Sequence, residues 1–327
     1  MKLTEIFPTP IKTFLLFLCL ASLISVLKAD LFQINADSNI FGEEQNIVVE
    51  NDNLNYLPFA EKYDLGYQEL KSSNPNLDLW RLKRGDHLFL GKQFLFSSNR
   101  AIILINLSTM RLYYPQPDQK RLFTYPIGIG RNHYETPIME TKIIEKEEKP
   151  IWVPTSEIRY EFLKKGIYLP KMVKSSPANP LGYYSLRLAH LNTKKLPVYL
   201  IHETNDPYTI GTMGSSGCIH LFSKDAKELF SQVSLGTIVK VIRNPCLFGI
   251  AKQKIYAQIV NDPSIEKENY LTQFSKELLI FLKEKKISLR RSEKSKRVQL
   301  NWSKIAKVIE EKDSLVHQIG EIIDDRN

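Results

Sequence analysis

Between residues 100 and 243 the chain is a succession of short apolar runs, and that spacing limits its fold more than any other feature. The runs at 101–106, 110–114, 122–127, 141–145, 184–188, 198–202 and 237–242 are bounded by Gly, Pro and Asn, with little helical periodicity between them. Strands at such intervals, without a helix after each one, build an antiparallel sandwich or barrel rather than βαβ units. One helix stands out near the end of this region. Ser223 suits an N-cap, Asp225 lies in the first turn, and Ala226, Leu229, Phe230 and Val233 form an apolar stripe.

The flanks have different patterns. Residues 45–92 read as strand, helix, helix, strand. Leu57, Phe59, Ala60 and Tyr63 recur at helical spacing, and Asp64-Leu65-Gly66 interrupts them. A second helical turn starts at Tyr67 and closes at Asn74-Pro75, and His87-Leu88-Phe89-Leu90 alternates like a strand. Residues 244–327 read as a basic, partly helical extension. They hold a strand around Tyr256–Val260, then a helix from Asp262-Pro263 with Leu271, Phe274, Leu278 and Phe281 on one face, and a last helix at 303–312. The segment 283–297 carries eight basic and two acidic side chains, a solvated face or a foothold on an anionic polymer.

The first 29 residues read as an address. Lys2 and Lys12 precede an apolar stretch of about 14 residues, too short for the roughly 20 that cross a bilayer, and the small residue Ala29 follows it. The pattern is that of a secretory signal peptide or an N-terminal anchor, and no later stretch is long enough to span. Its removal takes three lysines and one glutamate and lowers the formal charge from +9 to +7. That excess suits an anionic surface without choosing one. Cys218 and Cys246 then remain, either as one disulfide or with one thiol as a nucleophile. The six histidines are scattered, with no H-E-x-x-H, no C-x-x-C and no phosphate-cradling G-x-x-x-x-G-K-[ST].

The chemistry concentrates in residues 198–230, VYLIHETNDPYTIGTMGSSGCIHLFSKDAKELF. His202 ends an apolar strand, Gly211, Gly214 and Gly217 loosen the chain, and Cys218 precedes Ile219, His220 and Leu221. Gly217 lets main-chain amides converge on one spot, as a developing oxyanion requires. A free thiol is only a few per cent ionised at neutral pH, so a neighbouring imidazole must take its proton and hold the thiolate as an ion pair. His202 can return across 16 residues, and His220 lies on the same face as Cys218 if the segment is extended.

This stretch resembles the catalytic motif of the L,D-transpeptidase family (the YkuD-type domain), H-G-T … I-G … S-x-G-C-[IV]-R-[ML]. The matching residues are His202, Thr204, Ile210-Gly211, Ser215, Gly217, Cys218, Ile219 and Leu221. Ile103-Leu104-Ile105-Asn106 with Arg111-Leu112-Tyr113 is similar to the family's opening hairpin. FTYPIGIGR at 123–131 with Glu135-Thr136-Pro137, and Asn179-Pro180-Leu181-Gly182 with Tyr184-Ser185-Leu186-Arg187-Leu188, are similar to two further signatures. Residues 45–92 resemble a LysM module, which binds N-acetylglucosamine-containing glycan. The stretch at 298–302 is like the C-terminal extension of some members.

The resemblance implies a mainly β catalytic domain at 100–243, of YkuD-like sandwich or barrel type. It is flanked by a small α+β LysM-like module and a helical C-terminal extension. Cys218 would be the nucleophile, His202 the general base, and main-chain amides at Ser216 and Gly217 the oxyanion hole. His220, Thr204, Ser215 and Tyr208 would contact substrate. The implied reaction is periplasmic. A Cys thioester forms with meso-diaminopimelate of a peptidoglycan tetrapeptide stem, D-Ala leaves, and the acyl group passes to an amine. That amine is a second diaminopimelate, giving a 3→3 cross-link, or a lysine of a wall-anchored lipoprotein. The implied partners are stem peptides and glycan, with no metal, other cofactor or nucleic acid, and carbapenems would acylate the thiol. A hydrolase using the same thioester, or a non-catalytic wall binder, are the alternatives. Three positions depart from the family: Glu203 and Met139 stand where it has Gly, and His220 where it has Arg.

Overall fold

A computed structural model describes residues 30–34, 38–96, 102–118, 120–190, 199–289 and 296–324, and the proposed signal segment lies outside them. The amino-terminal part holds β1 (Asp30–Gln33), β2 (Ile40–Phe41), β3 (Gln45–Val48), α1 (Leu57–Tyr63), α2 (Tyr67–Ser73), β4 (His87–Leu90) and β5 (Phe94–Leu95). The strand–helix–helix–strand order expected for 45–92 is present, with β3 paired antiparallel to β4. Helix α1 stops where Asp64 turns left-handed at φ 52°, and Glu69 caps α2 by accepting from the Gly66 amide at 2.8 Å.

The central part holds β6 (Ile103–Asn106), β7 (Arg111–Pro115), β8 (Arg121–Pro126), β9 (Ile129–Gly130), β10 (Met139–Glu148), α3 (Ser156–Lys164), β11 (Tyr184–His190) and β12 (Tyr199–Glu203). After these come β13 (Met213–Ser215), β14 (Ile219–Leu221), α4 (Ser223–Gln232) and β15 (Ile238–Ile242). Nine strands form one sheet in the order β1-β8-β7-β6-β15-β10-β11-β12-β14. Pairing is antiparallel except at β15–β6 and β12–β14. Strands β9 and β13 pair separately and in parallel. The core forms where alternate strand residues such as Ile103, Ile105, Val239 and Val241 meet Ala226 and Leu229 of α4. The expected β architecture is therefore present, with two differences. Helix α4 starts at Ser223 itself, after an uncapped Phe222, and Asp225 is fully buried. Helix α3 went unforeseen because none of its residues is buried, so it carries no core-facing stripe to read.

The carboxyl-terminal part is more than helical. Strands β16 (Cys246–Ala251), β17 (Lys254–Val260), β18 (Lys296–Leu300) and β19 (Asp313–Asp324) form a sheet ordered β16-β17-β19-β18, packed with α5 (Tyr270–Glu284) and α6 (Trp302–Glu311). Helix α5 begins eight residues later than Asp262-Pro263 suggests. The Asp262 side chain accepts instead from the Ser264 amide and hydroxyl and from Arg243, which makes that dipeptide a turn. Tyr270, Phe274, Leu278 and Phe281 are buried, whereas Leu271 is exposed. Residues 290–295 of the basic run lie outside the described residues.

The three hydrophobic cores all lie between residues 30 and 324, but they are not independent. The amino-terminal core takes in Tyr113, Leu122, Ile210 and Phe222 of the central domain. Arg111 of β7, fully buried, reaches across the same seam. Its Nε and Nη2 bond both oxygens of Glu69 on α2 at 2.7 Å, Nη2 also donates to the Asp64 carbonyl, and the guanidinium lies 3.9 Å from the Phe94 ring centroid. Among the described residues no helix is long and apolar enough to cross a membrane.

Candidate active site

The parallel pairing of β12 with β14 sets His202 opposite His220, so both imidazoles stand on one face with ring centroids 4.8 Å apart. Cys218 immediately precedes β14, two residues before His220, about one pleat repeat (~7 Å) along that strand's direction. The two sequence-expected imidazoles therefore meet, Cys218 stands at the start of the same strand, and Cys218 and Cys246 are both free thiols. Cys246 is buried in the carboxyl-terminal sheet, where burial, and after it Glu277, pushes its thiol up to about 12.

The tautomers follow from hydrogen bonding. His202 Nδ1 lies 2.5 Å from the Glu203 carbonyl oxygen, which can only accept, so Nδ1 carries the proton and Nε2 keeps a lone pair. Thr209 Oγ1 donates to the Asp206 carbonyl at 2.7 Å and therefore accepts from His220 Nδ1 at 2.9 Å. Both imidazoles thus present an unprotonated Nε2. Glu203 braces this end of the site through its side chain as well. Its carboxylate accepts from the Tyr183 amide at 2.7 Å and lies against Gly182, whose φ of +62° and lack of Cβ allow the approach.

The turn carrying Cys218 is tied on both sides. Ser215 Oγ donates to the Cys218 carbonyl at 2.6 Å and accepts from the Gly217 amide at 3.0 Å. Thr136 Oγ1 donates to the Gly217 carbonyl and accepts from the Gly130 amide, both at 2.9 Å. Gly217 has φ +105°, and a Cβ there would stand 3.2 Å from the Tyr199 ring. These bonds revise three expectations. The Gly217 amide is committed to Ser215, which leaves the amides of Ser216 and Cys218 without an acceptor among the described residues. Ser215 is 1% exposed and holds the turn rather than substrate. Thr204 is buried, and its hydroxyl accepts from the Asp206 amide within a local turn.

Tyr208 lies at the seam with the amino-terminal part. Its hydroxyl accepts from Asn55 at 3.0 Å, and its ring stacks on Trp80 at 5.6 Å. The neighbouring Ile210-Gly211 carbonyls accept from the first amides of α2, Tyr67 and Gln68, at 3.2 Å. Gly211, at φ +76°, has no room for a Cβ against Gly66 and Tyr67. The loop that holds His220 through Thr209 is thus buttressed by the small module. The sequence reading missed Arg131, Tyr134 and Glu161 beside the Cys218 turn. The Arg131 amide donates to the Ser215 carbonyl at 2.9 Å, and Glu161 of α3 accepts from Arg131 at 2.6 Å and from the Tyr134 hydroxyl at 2.8 Å. Arg131 closes the quoted FTYPIGIGR signature, which was the available signal.

Burial sets the protonation states. It lowers His202 to about 4 against the pull of the Glu203 carbonyl, and it raises the Cys218 thiol against the Leu200 amide. Burial, and after it His202, also lowers His220 well below the usual range. Both shifts favour the neutral forms, thiol and imidazole, over the thiolate–imidazolium pair expected from sequence.

Two predictions arise here. The unfolded chain protonates His202 near 6.5 and the folded chain near 4. Between these values the unfolded state binds more protons, so stability falls as the pH drops through this window, by about 3 kcal/mol in all. Melting temperature followed from pH 7 to 4 should show the fall, and His202→Gln should lessen it, with His220, also lowered by burial, keeping its own share. His317, raised by Asp313, acts in the opposite direction, losing its contribution as the pH rises above 6.5. Separately, Ser215→Ala strands the buried Gly217 amide. It should cost about 1–3 kcal/mol and slow acylation of Cys218 roughly ten- to a hundredfold, measured by denaturant unfolding and single-turnover adduct formation.

The family model of the L,D-transpeptidase catalytic domain (YkuD) matches residues 100–241. The probable L,D-transpeptidase YcfS of Escherichia coli (strain K12) is 39% identical over 213 residues, 64% of this chain and 65% of that protein. The probable L,D-transpeptidase ErfK/SrfK of the same strain is 36% identical over 211 residues, 64% and 66% of the two chains. Its Salmonella typhimurium counterpart is 35% identical over 216 residues, 65% and 68% of the two chains. The match spans just under two thirds of the length of the first two relatives. A thiol, a tautomer-fixed imidazole and a glycine turn on one sheet edge, together with this similarity across the domain and its flanks, establish that the chain belongs to the L,D-transpeptidase family.

Proposed function

We propose that the protein is an exported, cysteine-dependent L,D-transpeptidase acting on peptidoglycan tetrapeptide stems. The observation that carries this reading is the hydrogen bond from His202 Nδ1 to the Glu203 carbonyl, which leaves Nε2 unprotonated and able to act as a base. Because burial favours the neutral thiol and imidazole, proton transfer accompanies attack. The Cys218 proton moves to His202 Nε2 as Sγ bonds to the L-centre carbonyl of meso-diaminopimelate. The Ser216 and Cys218 amides donate to the resulting oxyanion. His202 returns the proton to the departing D-Ala nitrogen, and a thioester remains. An acceptor amine then attacks, loses a proton to His202, and Sγ leaves and recovers it. The acceptor is the side-chain amine of a second diaminopimelate or a lysine of a wall-anchored lipoprotein. Export through the amino-terminal segment to the periplasm and glycan binding by the LysM-like module complete the proposal.

Intact-mass measurement of reduced protein mixed with a tetrapeptide muropeptide tests it. The expected result is a Cys218 adduct equal to the stem minus D-Ala, and then a cross-linked product when acceptor is added. A carbapenem should also add once. No adduct under reducing conditions would refute the enzyme reading, and release of free tripeptide despite acceptor would make the protein a hydrolase.

A further inference from the structure

Between β10 and β11 the chain leaves the sheet for residues 149–183 and returns. The base of this excursion is built firmly. Trp152 and Val173 exchange main-chain hydrogen bonds at 2.8 and 2.9 Å, and the buried Asn179 donates to the carbonyls of Pro150 and Val173 and accepts from the Leu181 amide. Helix α3 is pinned by Glu161 to Arg131 and Tyr134. Its tip, by contrast, is apolar and bare. Tyr160, Leu163, Ile167 and Met172 are exposed, and Tyr168 is 84% exposed. Leu163 lies roughly 200° round the helix from Glu161, directed away from the body. Four exposed lysines lie in the same stretch of chain: Lys164, Lys165, Lys171 and Lys174. Lys164 and Lys165 lie over the Tyr160 and Phe162 rings at 4.5 and 5.7 Å.

We propose that this tip docks on an anionic phospholipid surface. An apolar patch held out on a rigid base is unfavourable in water unless something covers it. A glycan strand offers only narrow pyranose C–H faces between its hydroxyls, which suit single aromatic rings better than the aliphatic side chains Leu163, Ile167 and Met172. A bilayer interface accepts aliphatic and tyrosine tips, and its phosphates take lysines whose stems lie along apolar surface. Glu161 is neutralised by Arg131, so the lysines dominate the local field. Docking would hold the nucleophile turn, to which α3 is linked through Arg131 and Tyr134, close to the lipid surface.

The test uses protein beginning at Asp30, which contains all three cores. It is sedimented with vesicles of phosphatidylglycerol and phosphatidylethanolamine (1:3) and with phosphatidylcholine vesicles. Binding should be at least tenfold stronger to the anionic vesicles and weaken steeply with salt. The triple variant Leu163→Ser, Ile167→Ser, Tyr168→Ser and the pair Lys164→Glu, Lys165→Glu should each lower it tenfold or more, with the melting temperature unchanged. Absence of binding by the unmodified protein, or equal binding by the triple variant, overturns the proposal. A triple variant that binds vesicles normally but shows a raised KM for muropeptide overturns it in favour of a substrate cover.

Discussion

Replacing Cys218 by alanine should abolish the acyl adduct and lower transpeptidation by about 10^4–10^6-fold, because the methyl group that replaces the sulfur cannot form the covalent intermediate. The fold should survive. Cys218 is only half-buried, and its turn is held by the Ser215 and Thr136 hydrogen bonds to main-chain atoms, which alanine keeps. His202→Ala should cost a comparable factor, and the double variant little more than either single one, since thiol and imidazole act as a unit. Rates from product chromatography, with melting curves as the control for folding, decide the matter. Measurable cross-linking by Cys218→Ala at more than a hundredth of the normal rate would remove the sulfur from the mechanism.

The largest effect on stability is expected at Arg111. Glu69→Ala takes from a fully buried guanidinium the carboxylate that bonds it at 2.7 Å, and it also removes the cap on the Gly66 amide. Breaking a buried pair in this way costs about 3–5 kcal/mol, which lowers the melting temperature by on the order of 10 °C in a chain of this size. Arg111→Met combined with Glu69→Met should recover part of the loss, because neither member of this pair is then left without the other. Denaturant unfolding of the two singles and the double measures the coupling. Near-additive losses would show that the pair contributes packing alone. The same variants should weaken catalysis, since the amides of Tyr67 and Gln68 on α2 hold the Ile210-Gly211 loop.

Local pattern was enough to place much of the fold. Alternation and turn residues mark most strands of the central sheet to within a few positions, because each must bury one face and end at a residue that cannot continue it. Helix α4 was legible from its stripe, although Ser223, a plausible cap by type, is the first helical residue and bonds no amide as a cap. Helix α3 was hidden because it buries nothing. The extent of the carboxyl-terminal sheet was hidden because β18 and β19 pair across α6, a partnership that no local window contains.

The same division runs through the site. Cys218, His202 and His220 stood out as residue types around three glycines, and the family blocks could be read in order. Sequence could not say which amides remain free, since Ser215 takes the Gly217 amide through space. Nor could it show that the small module and the catalytic loop share one seam.

By itself, then, the order of residues determined the β character of the central domain and marked the candidate thiol and imidazoles, because these depend on side-chain type and on short-range periodicity. Tertiary structure alone decided the favoured charge states of Cys218 and His202, the tautomers of both imidazoles and the bracing of Glu203 on Gly182. Each of these depends on burial and on hydrogen-bond partners that only the assembled sheet brings together.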